Sequence, residues 1–166
     1  MMNRIVSNCL LGLVLLTMAA CGFQLRGQAT VSDALKTLYI QGVDTRQDQF
    51  GVELKRALIR NGIEVLDEYQ EGAALFTVLE NRYNRNTLSV GSDALVREYE
   101  LETIVVFQVT DENGELIGSK QRVEARRDYQ FDRTQILAMD EQERVLREDL
   151  NQQMVQSILR RLSVMK

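Results

Sequence analysis

The side chains able to do chemistry in this sequence are few in kind. None of the 166 residues is histidine, the two cysteines are Cys9 and Cys21, and all but four of the 20 basic residues are arginine. Without an imidazole the usual general base near neutral pH is missing, and with it Ser-His-Asp triads and histidine-ligated metal sites. Catalysis would have to rest on carboxylates, lysine or serine. The one arrangement offering it is Glu98, Glu100 and Glu102, alternating along a single strand face. Neighbouring arginines account for that spacing better than a hydrolase does, so the chain is expected not to be an enzyme. No glycine-rich phosphate loop or metal-ligand spacing is found, and no cofactor or metal is expected.

A second kind of chemistry is lipid attachment. Arg4 precedes a mostly apolar run, and Thr17-Met18-Ala19-Ala20 brings small residues up to Cys21. This is the order of a signal peptide. A membrane-spanning helix needs about 20 consecutive apolar residues, and Ser7, Asn8 and Gly12 interrupt this run. We therefore expect residues 1–20 to be a cleaved lipoprotein signal peptide. Cys21 would carry the S-diacylglycerol and N-acyl lipid, residues 21–34 would be a flexible tether, and 35–166 a single domain. Two or more hydrocarbon chains anchor a protein stably, each buried methylene contributing about 0.8 kcal/mol. The competing reading is a secreted protein in which Cys21 is incidental. Cys9 leaves with the signal, so no partner remains for an internal disulfide. Gly22, not Asp, follows the cysteine, which implies onward transport to the outer membrane. The net charge of −4, one more negative after cleavage, gives no general attraction to nucleic acid.

The hydrophobic pattern sets the elements. Residues 35–41 read as a strand with apolar groups on both faces. Phe50, Leu54, Ala57 and Leu58 hold the spacing of one helix face, with Thr45-x-x-Asp48 resembling a capping box and Asn61-Gly62 a stop. "IEVLDEY" extends again, as a crossover to a parallel strand requires. Three long alternating runs follow, over 74–90, 95–111 and 115–131. A three-residue loop, Glu112-Asn113-Gly114, pairs Val109 with Ile117, Thr103 with Val123, Leu101 with Ala125 and Leu95 with Phe131. In that register Arg126 faces Glu100, and Arg127 faces Tyr99. A last amphipathic helix, capped by Asp140 with Glu143 at N3, lines Leu146, Leu150, Met154, Ser157, Ile158 and Leu162 along one side. The expected class is α+β: a two-layer α/β sandwich, an about four-stranded mixed sheet with two amphipathic helices on one face.

Several stretches resemble one family. "CGFQLRG" directly after the signal, "RNGIEVLDE", "EYEL" opening a long strand and "LAMDEQERVLREDL" opening the last helix are similar, in order, to the lipopolysaccharide-assembly lipoproteins of the LptE family. The resemblance implies a compact sandwich that plugs and supports a large outer-membrane β-barrel of the LptD kind, the pair inserting lipopolysaccharide into the outer leaflet. It also implies binding of lipopolysaccharide through basic residues. The corresponding places here, 90–95 and Met139, are not basic, but the chain has its own arginines, the side chain suited to bidentate phosphate contacts. The candidates are Arg82, Arg85, Arg97, Arg122 and Arg126, within a set that includes Arg127 and Arg133. Arg122 and Arg126 are also explained as cross-strand ion pairs; Arg82, Arg85 and Arg97 have fewer obvious carboxylate partners. The alternative function is a lipoprotein carrying a small ligand or lipid, which would need an apolar pocket between sheet and helices.

Overall fold

The computed structural model describes residues 35–165. Their order is β1 (Thr37–Gln41), α1 (Gln49–Arg60), β2 (Glu64–Leu66), β3 (Ala74–Val90), β4 (Val96–Thr110), β5 (Gln121–Gln130), a 3-10 turn at Arg133–Gln135 and α2 (Ile136–Leu162). The strands form one mixed sheet in the order β2-β1-β3-β4-β5. β1 runs parallel to both β2 and β3, while β3, β4 and β5 are antiparallel neighbours. The sheet thus has five strands where about four were expected. β2 lies within the stretch "IEVLDEY" that was expected to extend, and it pairs parallel to β1 over only three residues.

Both helices lay their apolar sides on the same face of the sheet. Leu54 and Leu58 of α1 and Leu150, Met154, Ile158 and Leu162 of α2 are fully buried against Phe76, Leu101, Val105 and Phe107. The Phe76 and Phe107 rings stack at 4.8 Å. The interlayer space is filled with side chains at close to zero exposure. α2 also buries Asn151, Val155 and Leu159, whereas Ser157 turns aside and donates to the Gln153 carbonyl.

The helix starts differ from expectation for local reasons. Asp44 accepts hydrogen bonds from the backbone N–H of Arg46 and Gln47 (2.7 and 3.0 Å), which folds residues 45–47 into a turn. α1 therefore begins after Asp48, whose carboxylate accepts from Gly51 N–H at 2.9 Å, and Thr45 is not the cap. The stop falls where expected, with Asn61 as C-cap and Gly62 at φ +82°. Asp132 caps the 3-10 turn, accepting from Thr134 N–H at 2.9 Å, so α2 begins at Ile136 and Asp140 lies inside it.

The β4–β5 hairpin keeps the expected faces but not the expected partners. Its turn closes on residues 112–114 with Gly114 at φ +80°, and Ile117 N–H donates to Val109 O at 2.9 Å, as the three-residue loop requires. Gly118 then enters the left-handed region at φ +73°, and the register moves by two residues before Phe107 meets Gln121. Thr103 consequently faces Ala125, Leu101 faces Arg127, Tyr99 faces Tyr129 and Arg126 faces Glu102. Phe131 N–H donates to Arg97 O at 2.8 Å, so Phe131 does not pair with Leu95. A shift of two preserves every side chain's face, so face-matching alone could not detect it.

β1 leaves the sheet at Gly42 (φ +88°), where a Cβ would lie 2.1 Å from the Val78 carbonyl oxygen. Beside that contact β3 carries a register break between Val78 and Glu80. β1 therefore covers only the start of β3, and the rest of the β3–β4 hairpin projects beyond it. At a strand rise near 3.3 Å, the 17 residues of β3 span about 55 Å. The chain enters the described domain at Leu35, at the same end as the 111–115 turn and the C-terminus of α2; the 91–95 turn, Phe131 and the start of α2 form the opposite, distal end. Gly42→Ala is expected to destabilise the domain by more than about 1 kcal/mol, because both the positive φ and the carbonyl contact resist a side chain. A urea titration of the two proteins measures this.

Candidate functional site

Three polar constellations stand out among the described residues, and the last surrounds the largest of the clefts described here. The first lies on the helix-free face. Glu98, Glu100 and Glu102 alternate along β4 and each accepts from the β3 residue opposite: Ser89 Oγ (2.6 Å), Asn86 Nδ2 (3.4 Å) and Asn84 Nδ2 (3.2 Å). On the other flank Arg126 Nη2 lies 2.8 Å from Glu102 and 3.7 Å from Glu124, and Arg122 pairs with Glu124 at 3.0 Å. Arg82 meets Glu80 at 3.2 Å. The carboxylate trio is thus a strut in a solvated ladder, and Asn84 and Arg126 hold Glu102 below the usual carboxylate range.

The second constellation faces the helices. Glu143, in the second turn of α2, accepts from Tyr83 Oη (2.9 Å) and Arg85 Nη1 (2.9 Å) on β3 and from Tyr129 Oη (2.8 Å) on β5. The Arg85 guanidinium stacks 4.7 Å from the centre of the Tyr99 ring on β4, and Arg147 lies 4.6 Å over Tyr83. Burial pushes the Glu143 carboxyl up, but the hydrogen bonds from Arg85, Tyr129 and Tyr83 outweigh it and leave it below 4.5. Burial and then the bond to Glu143 push Tyr129 up to about 12, and Tyr83 rises for the same reasons. The network is a clamp between α2 and the distal sheet. Sequence reasoning cast Glu143 as a capping residue. The overlooked signal is that a carboxylate stands one heptad before Leu150, on the stripe that packs against the sheet.

The third is a cleft of about 850 Å³ at the distal end, between the hairpin tip and the β5–α2 connection. Leu95, Val96 and Phe131 give it apolar walls; Arg97 and Arg133 supply cations, and the carboxylates of Glu98, held by Ser89, and Asp132, engaged in its cap, also line it. Arg97 is placed by the tip. Asp93 accepts from its Nη2 at 2.8 Å, and a Cβ at Gly91 would lie 2.6 Å from its Nε, so glycine leaves room for the guanidinium. Arg133 makes no ion pair among the described residues. Leu88, Val90, Ile136 and Leu137 are also exposed toward this end, Leu137 at 87 %.

Of the arginines expected to meet phosphate, then, Arg97 borders the cleft. Arg82, Arg122 and Arg126 lie in the ladder and Arg85 in the clamp. Arg82, Arg85 and Arg97 all have carboxylate partners, contrary to expectation: Glu80, Glu143 and Asp93. Arg133, outside the leading candidates, joins Arg97. Cys21, the expected lipid attachment, and the boundaries at 20 and 34 lie outside the described residues.

A two-layer sandwich with a solvated sheet face and an apolar-walled, arginine-bearing cleft at one end defines a class of small α+β modules built around their surfaces. The chain belongs to the LptE, Lipopolysaccharide-assembly, family, whose model matches residues 35–162. Among relatives, it is 28% identical to the LPS-assembly lipoprotein LptE of Photorhabdus laumondii over 164 residues, covering 97% of this chain and 87% of the other. It is 27% identical to that of Yersinia enterocolitica, covering 98% and 78%. Among solved structures, lipoprotein B of Nitrosomonas europaea is similar with a TM-score of 0.70 at 26% identity, over 86% of this chain and 90% of that one. A minor lipoprotein of Acinetobacter baumannii is similar with a TM-score of 0.64 at 28% identity, over 78% and 91%.

The clamp carries a pH dependence of known sign. The Glu143 carboxyl titrates lower in the folded chain than its ordinary 4.5. Its stabilisation is therefore complete above that value and is lost as pH falls through the lower folded value. Glu143→Gln is expected to cost about 1–2 kcal/mol near neutral pH, with the difference from the parent vanishing in acid. Denaturant titrations across pH measure it.

Proposed function

We propose that this chain is an outer-membrane lipoprotein, held on the periplasmic face by lipid on Cys21, that plugs and supports a large LptD-like β-barrel inserting lipopolysaccharide into the outer leaflet. The match of residues 35–162 to the lipopolysaccharide-assembly model carries this reading. Its mechanism is positional. The lipid fixes one end, residues 21–34 give reach, and the sandwich presents its distal end about 50 Å away. The helix-free face, with its carboxylates and arginines already paired, suits the polar lumen of a large barrel.

The distal cleft is the proposed contact for lipopolysaccharide itself. Arg97 and Arg133 beside Leu95 and Phe131 match a ligand whose phosphates adjoin hydrocarbon, because guanidinium forks bind phosphate bidentately while apolar walls accept chain. Arg82, Arg85, Arg122 and Arg126 lie away from those walls, which makes them weaker candidates.

Two measurements test the reading. A tagged pull-down from detergent-solubilised envelope is expected to recover an equimolar large β-barrel, with mass spectrometry finding three acyl chains on Cys21; a free thiol and no barrel would end the proposal. Separately, Arg97→Ala/Arg133→Ala should weaken lipopolysaccharide binding about tenfold or more, while Arg122→Ala leaves it unchanged. Equal affinity of parent and double variant would remove the cleft from the account.

A further inference from the structure

One wall of the distal cleft is set by a residue that does not line it. Phe131 directly follows β5, and its backbone N–H donates to Arg97 O at 2.8 Å. That bond fixes the backbone, while the ring still turns about two side-chain torsions. What meets the ring is Tyr99 of β4, edge to face, with centroids 5.2 Å apart and planes at 75°. Tyr99 is not among the residues that border the cleft, and both rings pack on the hydrophobic core. Any influence of Tyr99 on a bound molecule therefore passes through Phe131.

Tyr99 is itself held from two sides. Tyr129 of β5 lies directly opposite it, ring centres 5.8 Å apart. Arg85 of β3 is its diagonal neighbour, within reach of a long side chain, and its guanidinium lies 4.7 Å from the centre of the Tyr99 ring. Both supports end on one atom. Arg85 Nη1 at 2.9 Å and Tyr129 Oη at 2.8 Å donate to the same oxygen of Glu143, Oε2. Aromatic pairs and cation–ring stacks have preferred geometries, so the series from Glu143 through Arg85 and Tyr99 to Phe131 carries position from α2 to the cleft wall. The Tyr99 hydroxyl makes no hydrogen bond among the described residues. The flat ring is the part this arrangement uses.

We propose that Tyr99 is a positioning residue for lipopolysaccharide binding: held by Arg85 and Tyr129, it orients the Phe131 ring as the wall that accepts hydrocarbon beside Arg97 and Arg133. The inference rests on the distal-cleft reading given above and adds a division of labour to it. Guanidinium forks take phosphate, and the wall takes acyl chain. Arg85, expected from the sequence to meet phosphate, acts instead on the acyl half of the ligand without touching it. A change at Tyr99 is thus felt by an acylated ligand and ignored by a deacylated one carrying the same phosphates.

The test titrates the full chain in dilute detergent with lipopolysaccharide and with its deacylated, still phosphorylated form. Tyr99→Leu keeps apolar volume against the core and removes the flat ring. It should weaken lipopolysaccharide binding about fivefold to tenfold and leave affinity for the deacylated form within about twofold. Tyr99→Phe should restore the parent's affinity for both. Fluorine NMR of protein carrying fluorinated phenylalanine reads the wall without ligand: the Phe131 signal, assigned through Phe131→Leu, should shift in Tyr99→Leu. An unmoved Phe131 signal would overturn the proposal, as would unchanged lipopolysaccharide affinity or equal losses for both ligands. If Tyr99→Leu fails to fold, Arg85→Gln, which removes the stacked cation and leaves the ring, carries the same expectations. The cleft reading fails by a different result, parent-like binding of both ligands by Arg97→Ala/Arg133→Ala. A loss in Tyr99→Leu alone would then still support the wall.

Discussion

Glu143 takes three hydrogen bonds, two from β3 and one from β5, while Arg85, one of its donors, lies over a ring of β4. The distal half of this protein depends on that junction. The strands run far beyond the region that α1 covers, and the first turns of α2 expose Ile136 and Leu137 instead of burying them. Apolar burial holds the proximal half. Over the distal half, a half-buried carboxylate that accepts from three donors takes its place. Such a group is costly to bury alone and stabilising when satisfied.

This division orders the rest of the structure. The cleft at the tip is bounded by the hairpin and by the connection into α2, so its shape follows from how α2 is pinned to the sheet. Asp93 and Gly91 then set the Arg97 guanidinium locally, and Asp132 caps the turn that carries Arg133. Arg60, Arg82, Arg85, Arg122, Arg126 and Arg144 are held in internal ion pairs, which leaves a surface whose charge is high in count but locally balanced there. Exposed pairs of that kind add little stability. They do keep a broad sheet face hydrated and free of a large apolar patch, with Ile104 and Val106 buried beneath long side chains.

Much of the architecture was legible beforehand. The alternation of Leu101, Thr103, Val105 and Phe107 announced a strand with one buried side, and Phe50, Leu54, Ala57 and Leu58 announced a helix. Asn61-Gly62 marked its end correctly. What was misread shares a cause. Thr45, Asp140 and the Arg126–Glu100 pairing were inferred from short-range rules, yet each was decided by a competitor a few residues away: Asp44 seizing two amides, Asp132 capping earlier, and Gly118 admitting a two-residue shift.

By itself the sequence determined which residues face inward, how many helices there are and where arginine is concentrated, because side-chain period and composition act over a few residues at a time. Only the tertiary structure decided that Glu143 clamps three strands, that Arg133 joins Arg97, and that Tyr99 meets both Arg85 and Phe131. Those relations connect residues distant along the chain and depend on exact register. A period of two repeats too often to specify register without the folded sheet.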